Sequence, residues 1–148
     1  MKNSSEECLK SCSSQSKYSL DCRDRIYFEG HTLYRIIYKD GSKGGWLKGY
    51  HNLSQEGSCK VLEEAKVLDV ARVEDNAIIS ENAVISQNVV VKGDSIVSGN
   101  SRVNGNLNLL DNIKVLDFAV LFGSGDLRGF QKFSGNAHVN YGAISLDV

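Results

Sequence analysis

VLEEAK (61–66), VLDVAR (67–72), VEDNAI (73–78), ISENAV (79–84), ISQNVV (85–90), VKGDSI (91–96) and VSGNSR (97–102) follow one another without a break. Counted in sixes from Val61, every hexad through Val139 opens on an apolar residue, fourteen in all. The fifth place is small: eleven of fourteen residues there are Ala, Ser, Gly or Val, as in Ala65, Ala77, Ser95 and Ala137. Side chains alternate along a strand. A fifth residue and the next leader, such as Ala77 and Ile79, therefore point to one side, and the residue between them points out. Three residues remain to turn a corner. They are of types that tolerate positive φ, as in Asp75-Asn76, Gly93-Asp94, Gly99-Asn100, Gly105-Asn106, Asp111-Asn112 and Gly135-Asn136.

Six residues to a side and three sides make a coil of eighteen. The small inward residue lets the walls of a triangular prism approach. The fourteen hexads give between four and five coils, ~22 Å along the axis. Spacing by eighteen predicts Asn ladders at Asn82/Asn100 and Asn88/Asn106. A period of six matches no helical repeat. The fold class is therefore all-β: a left-handed parallel β-helix of hexapeptide repeats over residues 55–148.

Outward from the repeats, Ile26-Tyr27-Phe28 and LYRIIY (33–38) read as two strands joined by turn residues Glu29-Gly30-His31. A glycine-rich loop (39–45) and Trp46-Leu47 lead into the prism. Residues 26–54 are read as a β-hairpin and linker that cap the first coil. Residues 1–25, rich in Ser, Lys and Cys, are read as a flexible tail.

Composition narrows the function. Net charge is −1 and hydrophobic residues make up 41%, which disfavours a surface tuned to nucleic acid or anionic lipid. No window has the length of a membrane span, and Met1 to Lys10 lacks the apolar run of a secretory signal, so a cytoplasmic setting is expected. A zinc site from Cys8, Cys12, Cys22 and His31 is disfavoured because no C-x-x-C pair is present; free thiols are expected. Cys59 falls at an inward position of the repeat.

Leu33-Tyr34-Arg35-Ile36, Gly44-Gly45-Trp46, Asn52-Leu53-Ser54-Gln55-Glu56-Gly57 and the Ala-x-Val repeats after them resemble the YdcK-like hexapeptide-repeat proteins of bacteria and their phages. The resemblance covers residues 32–148. Phe118, Phe122, Phe130 and Gln131 depart from the repeat. The resemblance implies the β-helix and, through the wider superfamily, an acyltransferase-like label; fold does not fix function. An acyltransferase of that kind uses an acyl-thioester cofactor in a cleft between subunits, with a histidine base.

His138 is the weak catalytic candidate, being the histidine within the repeats, and it is expected to face outward. One prism histidine cannot supply a three-histidine zinc site, and no cofactor is expected. The stronger expectation is a non-catalytic protein-interaction module that forms a homo-oligomer, dimer or trimer, and binds a protein partner. It is read as an accessory or phage-derived factor acting on a host protein. Its interface candidates are the apolar outward residues Ile78, Ile96, Val84, Val90 and Val120, with Phe118, Phe122 and Phe130 at or beside corners. Ile78 and Ile96 stack on one wall between Lys60 and Lys114.

Overall fold

The structure is a computed structural model that describes residues 16–142. It is a parallel β-helix of about five turns. Three longer strands come first: β1 (Tyr18–Phe28), β2 (His31–Tyr38) and β3 (Lys43–Leu47). A short 3-10 turn, Tyr50–Asn52, leads into the coils. The rungs are β4 (Lys60–Val61), β5 (Lys66–Val67), β6 (Arg72–Val73), β7 (Ile78–Ile79), β8 (Val84–Ile85), β9 (Val90–Val91), β10 (Ile96–Val97), β11 (Arg102–Val103), β12 (Asn106–Leu109), β13 (Asn112–Val115), β14 (Val120–Leu127), β15 (Phe130–Phe133) and β16 (His138–Tyr141).

Register fixes the coil length. Lys60 pairs with Ile78, Ile78 with Ile96, Ile96 with Lys114 and Lys114 with Lys132, each eighteen residues on. Wall I stacks β3, β5, β8, β11, the start of β14 and β16. Wall II stacks β6, β9, β12 and the end of β14. Wall III stacks β4, β7, β10, β13 and β15. The leaders from Val61 to Leu127 are fully buried, as are Cys59 and the small residues from Ala65 to Ala119. Ser95 and Ser101 lie inside because their hydroxyls donate to main chain: Ser95 to Asp111 O at 3.1 Å, Ser101 to Ser98 O at 2.7 Å.

The third residue of most hexads turns the corner at positive φ, from Glu63 (58°) through Asp75 (59°) and Gly99 (74°) to Gly135 (63°). Asp111 is an exception to the expected set. Acidic corner residues do more than turn. Glu63, Asp69, Asp75, Asp111 and Asp117 each accept the amide of the residue eighteen on, at 2.7–3.1 Å. The Asn ladders expected at Asn82/Asn100 and Asn88/Asn106 are not what the side chains form. Their register is held by main chain, Asn82 N to Gly99 O and Asn88 N to Gly105 O, both 2.9 Å. A side-chain ladder runs instead from Ser58 through Asn76 to Asp94.

The tail expected over residues 1–25 is corrected from Tyr18 onward, where β1 begins. Tyr18, Leu20 and Cys22 alternate inward with polar Ser19 and Asp21 between them, a strand-like period of two over only five residues. Residues 1–15 and 143–148, with Cys8, Cys12 and the last-coil segment AISLDV, lie outside the described residues. Cys22 is not a free thiol: it is buried and disulfide-bonded. The turn is tighter than expected, with Glu29 and Gly30 both at positive φ, as a two-residue type I′ hairpin requires.

A register shift between Asp21 and Arg25 bends the hairpin. Its base lies over the first coil, where Tyr18, Leu20, Ile36 and Tyr38 join the core. Its tip folds down the outside of wall I, where Ile26 and Phe28 pack on the cluster of Leu33, Trp46, Leu68 and Val84. Arg35 clamps the bend: its guanidinium lies 3.9 Å from the Trp46 ring centre and donates to Gly44 O at 2.9 Å. The Trp46 indole donates to Glu64 at 3.0 Å. That hydrogen bond, then the charges of Arg35 and Lys66, holds the Glu64 carboxyl below its ordinary range.

Each wall's first rung is closed differently. Wall I gains strand β3, reached only because Gly44 and Gly45 lack side chains: a Cβ on Gly45 would sit 2.4 Å from Ala65 O. Wall II is closed by Ser54 N to Val73 O at 3.0 Å and the Asn52 amide to Ala71 O at 2.8 Å. Wall III is closed by side chains alone. The Tyr38 hydroxyl donates to Val61 O and accepts from Val61 N, both 2.9 Å, and the Lys17 amine donates to Cys59 O at 2.8 Å.

Tyr38→Phe strands a buried amide and carbonyl, so it should cost about 1–3 kcal/mol in a denaturant titration; an unchanged midpoint would refute the closing role. Burial foremost pushes the Tyr18 and Tyr38 hydroxyls above their ordinary value. The folded state thus favours the neutral phenols. Their contribution is complete below the unfolded value of about 10 and is lost as pH rises beyond it. Melting followed by circular dichroism should show a fall in Tm beginning near pH ~10, and a flat profile to higher pH would contradict this.

Candidate functional site

The outward column of each wall decides what the prism can touch. On wall I the column is Trp46, Lys66, Val84, Arg102, Val120 and His138. The hairpin covers its upper half. Val84, expected at an intermolecular interface, is only 7% exposed beneath the hairpin. The covering surface belongs to the same chain, and the cause is the bulge that bends it. One rung above Val84, Lys66 approaches the Phe28 ring at 4.9 Å, and one rung below it Arg102 is ion-paired with Glu29 at the hairpin tip.

The next rung of wall I is uncovered. Phe118, Val120 and Phe122 alternate with buried Ala119 and Leu121, so all three lie on the outside. Phe118 is 58% exposed. The structure brings these three candidates into one apolar row. Asn100 and Asn104 lie in the rung before it, and Asn136 and Asn140 in the rung after it.

His138 lies outward one rung beyond Val120, exposed. No hydrogen-bond or ion-pair partner meets it among the described residues. His31 and His51 are engaged elsewhere: His31 Nε2 is 3.1 Å from Asp69, and His51 Nε2 is 2.7 Å from Asp69 O. No group of three or more His, Cys, Asp or Glu side chains that could hold a metal occurs among the described residues.

On wall II the column is Arg72, Val90, Asn108 and Asp126. Val90 is half-buried there. Glu74 neutralises two cations, Arg72 at 2.8 Å and Lys92 at 3.8 Å. A shallow hollow of about 370 Å³ lies above Arg72, between Tyr50, His51, Gln55 and Glu74. Its charged groups are already satisfied by one another.

On wall III the column is Lys60, Ile78, Ile96, Lys114 and Lys132. The two isoleucines stack as the spacing predicts and are half-buried. Phe130 opens rung β15 at the edge shared with wall II and is 86% exposed. Phe118 stands at the other edge, shared with wall I. Nothing in the local sequence around Ile26 and Phe28 foretold that they would cover Val84, because the bend depends on a bulge without a fixed motif.

The contrast between covered and bare outward positions is measurable. Val84→Asp buries a carboxylate under the hairpin and should cost about 3 kcal/mol or more, whereas Val90→Asp leaves it in water and should cost under about 1. Equal losses in urea titrations would contradict the hairpin's placement.

No protein-family model, no curated protein and no solved structure matches this chain.

Proposed function

We propose that the chain is a non-catalytic protein-interaction module that self-associates and docks a protein partner, in the manner of an accessory or phage-derived factor. The observation that carries this reading is the Phe118–Val120–Phe122 row on wall I. Exposed Phe118 grouped with half-buried Val120 and Phe122 suits an interface centre. The row is self-complementary about a two-fold axis through Val120. Such an axis sets row on row and asparagine on asparagine, and Arg102 brings no free charge because Glu29 pairs it. The coils follow a constant eighteen-residue register between Lys60 and Lys132, without the looped-out insertions that would shelter a substrate.

The acyltransferase-like reading draws on His138, which would border this same contact. It has its own readout: a saturable rise in Tm with an acyl-CoA. A cytoplasmic setting stays part of the proposal, with the Cys22 disulfide as its test. Disulfides persist in oxidising compartments, so protein whose Cys22 remains disulfide-bonded in cells would sit elsewhere.

Light scattering should give a dimer or trimer for the wild type, a monomer for Val120→Lys/Phe122→Ser, and an unchanged oligomer for Ile78→Lys/Ile96→Lys. A monomeric wild type at tens of micromolar would end the self-association reading. An oligomer broken by the isoleucine pair alone would move the contact to wall III.

A further inference from the structure

Wall III differs from the other walls in how its cations are satisfied. Lys114 and Lys132 are exposed, in register on neighbouring parallel strands. Like charges directly opposite one another on a sheet are destabilising. Neither lysine has a carboxylate within ion-pair distance among the described residues, and Lys60 has only the face of Tyr38, at 5.5 Å. Elsewhere the outward arginines are paired: Arg72 with Glu74, Arg102 with Glu29 and Arg128 with Asp126.

Most carboxylates at the edges of wall III are occupied, with exposed Glu81 at the edge shared with wall I the exception. Asp75, Asp111, Glu63 and Asp117 accept amides of the next coil, and Asp94 accepts from Asn76. They run along the axis and not across the wall. The face therefore reads, in order, lysine, isoleucine, isoleucine, lysine, lysine, with Phe130 and Phe118 at its edges. Lys39 and Lys17 add further cations beside Lys60, around a hollow of about 220 Å³ that also holds Asp40.

We infer that wall III docks an acidic polypeptide segment of a partner protein, lying along the prism axis with aliphatic side chains on Ile78 and Ile96 and carboxylates on Lys60, Lys114 and Lys132. This rests on the interaction-module reading and names the partner's chemistry. From Lys60 to Lys132 is four rungs, ~19 Å, which an extended segment of about six residues spans. Charge complementarity selects the occupant. A second copy is the wrong one. A two-fold axis between the isoleucines, lying in the plane of the wall and parallel to its strands, sets Lys60 on Lys114, and one parallel to the prism sets each lysine on its twin.

The test uses fluorescence anisotropy with the full chain and three labelled peptides of about ten residues. One has glutamates flanking a Leu-Val-Leu centre; the second has lysines in place of the glutamates; the third has serines. The acidic peptide should bind, weaken with added salt, and lose about tenfold or more in affinity for Lys114→Glu/Lys132→Glu. Lys114→Gln/Lys132→Gln should give a smaller loss, and Ile78→Ser/Ile96→Ser should also weaken it. Unchanged melting curves would show that the variants fold. Equal binding of the acidic and serine peptides would keep wall III as an interaction surface and overturn the acidic partner. Binding of none of the peptides would overturn wall III as a docking face, while the light-scattering result would still decide self-association. Tighter, lysine-dependent binding to phosphatidylcholine vesicles containing phosphatidylserine would replace the polypeptide with a membrane surface and overturn the proposal.

Discussion

The coils of this protein hydrogen-bond to their neighbours along the axis, and little within themselves. Lys60 N donates to Ala77 O, Leu62 N to Ile79 O, Lys66 N to Ala83 O and Arg72 N to Val89 O, all at 2.8–3.0 Å. A main-chain group left unpaired in such a stack costs as much as a lost hydrogen bond. The eighteen-residue register is therefore a condition on every rung, and the side chains obey it. Inward places stack like on like, from Ala65 to Ala83 and from Val67 to Ile85. The corners obey it too, since an acidic residue at positive φ reaches the amide directly beneath it. Corner chemistry and rung chemistry thus reinforce one spacing.

The same condition makes the ends the difficult part of the fold. A first rung has no coil before it, and this chain meets the need three times over. A strand is added on wall I, a bridge and an asparagine amide on wall II, and a tyrosine hydroxyl with a lysine amine on wall III. Gln55 extends the principle to β1, where its amide both accepts from Tyr18 N and donates to Tyr18 O, as a neighbouring strand would. Toward the other end, Tyr141 plays a lesser version of this part. Its hydroxyl donates to Asp126 O at 3.1 Å and its ring lies against Gly125, where a Cβ would come within 3.0 Å. That contact explains why the small inward series reaches its minimum at Gly125.

What could be read from the sequence was whatever repeats. The leaders, the small inward residues and most positive-φ corners each recur at fixed intervals, so a single chain carries many independent instances of one rule. The stacking of Ile78 on Ile96 follows from the same arithmetic. What could not be read arises once. The bulge at residues 22–24 has no periodic signature, yet it sends Phe28 over Val84 and removes that valine from the exposed surface. Tyr38 reads as the last residue of a β strand, and only the position of the first coil makes its hydroxyl a substitute for main chain. The Phe118–Val120–Phe122 row lay between the two cases. Its members were visible as departures from the repeat, but their union on one rung depended on Phe118 turning outward at the corner.

The three walls then diverge for one electrostatic reason. Outward side chains on a wall lie one rung apart, ~4.8 Å off, so a wall that carries cations must neutralise them from its corners or from elsewhere in the chain. Wall II does the first, because Glu74 takes no part in the amide ladder and bridges Arg72 and Lys92. Wall I does the second, because the hairpin brings Glu29 to Arg102. Wall III does neither. Four carboxylates at its corners are committed to the amides that hold the coils in register, and the hairpin lies on a different face. The geometry that stabilises the prism therefore also leaves Lys114 and Lys132 unneutralised, beside two isoleucines and two exposed phenylalanines. A flat face of that composition lowers its free energy most by meeting a surface that is acidic at its ends and apolar between them.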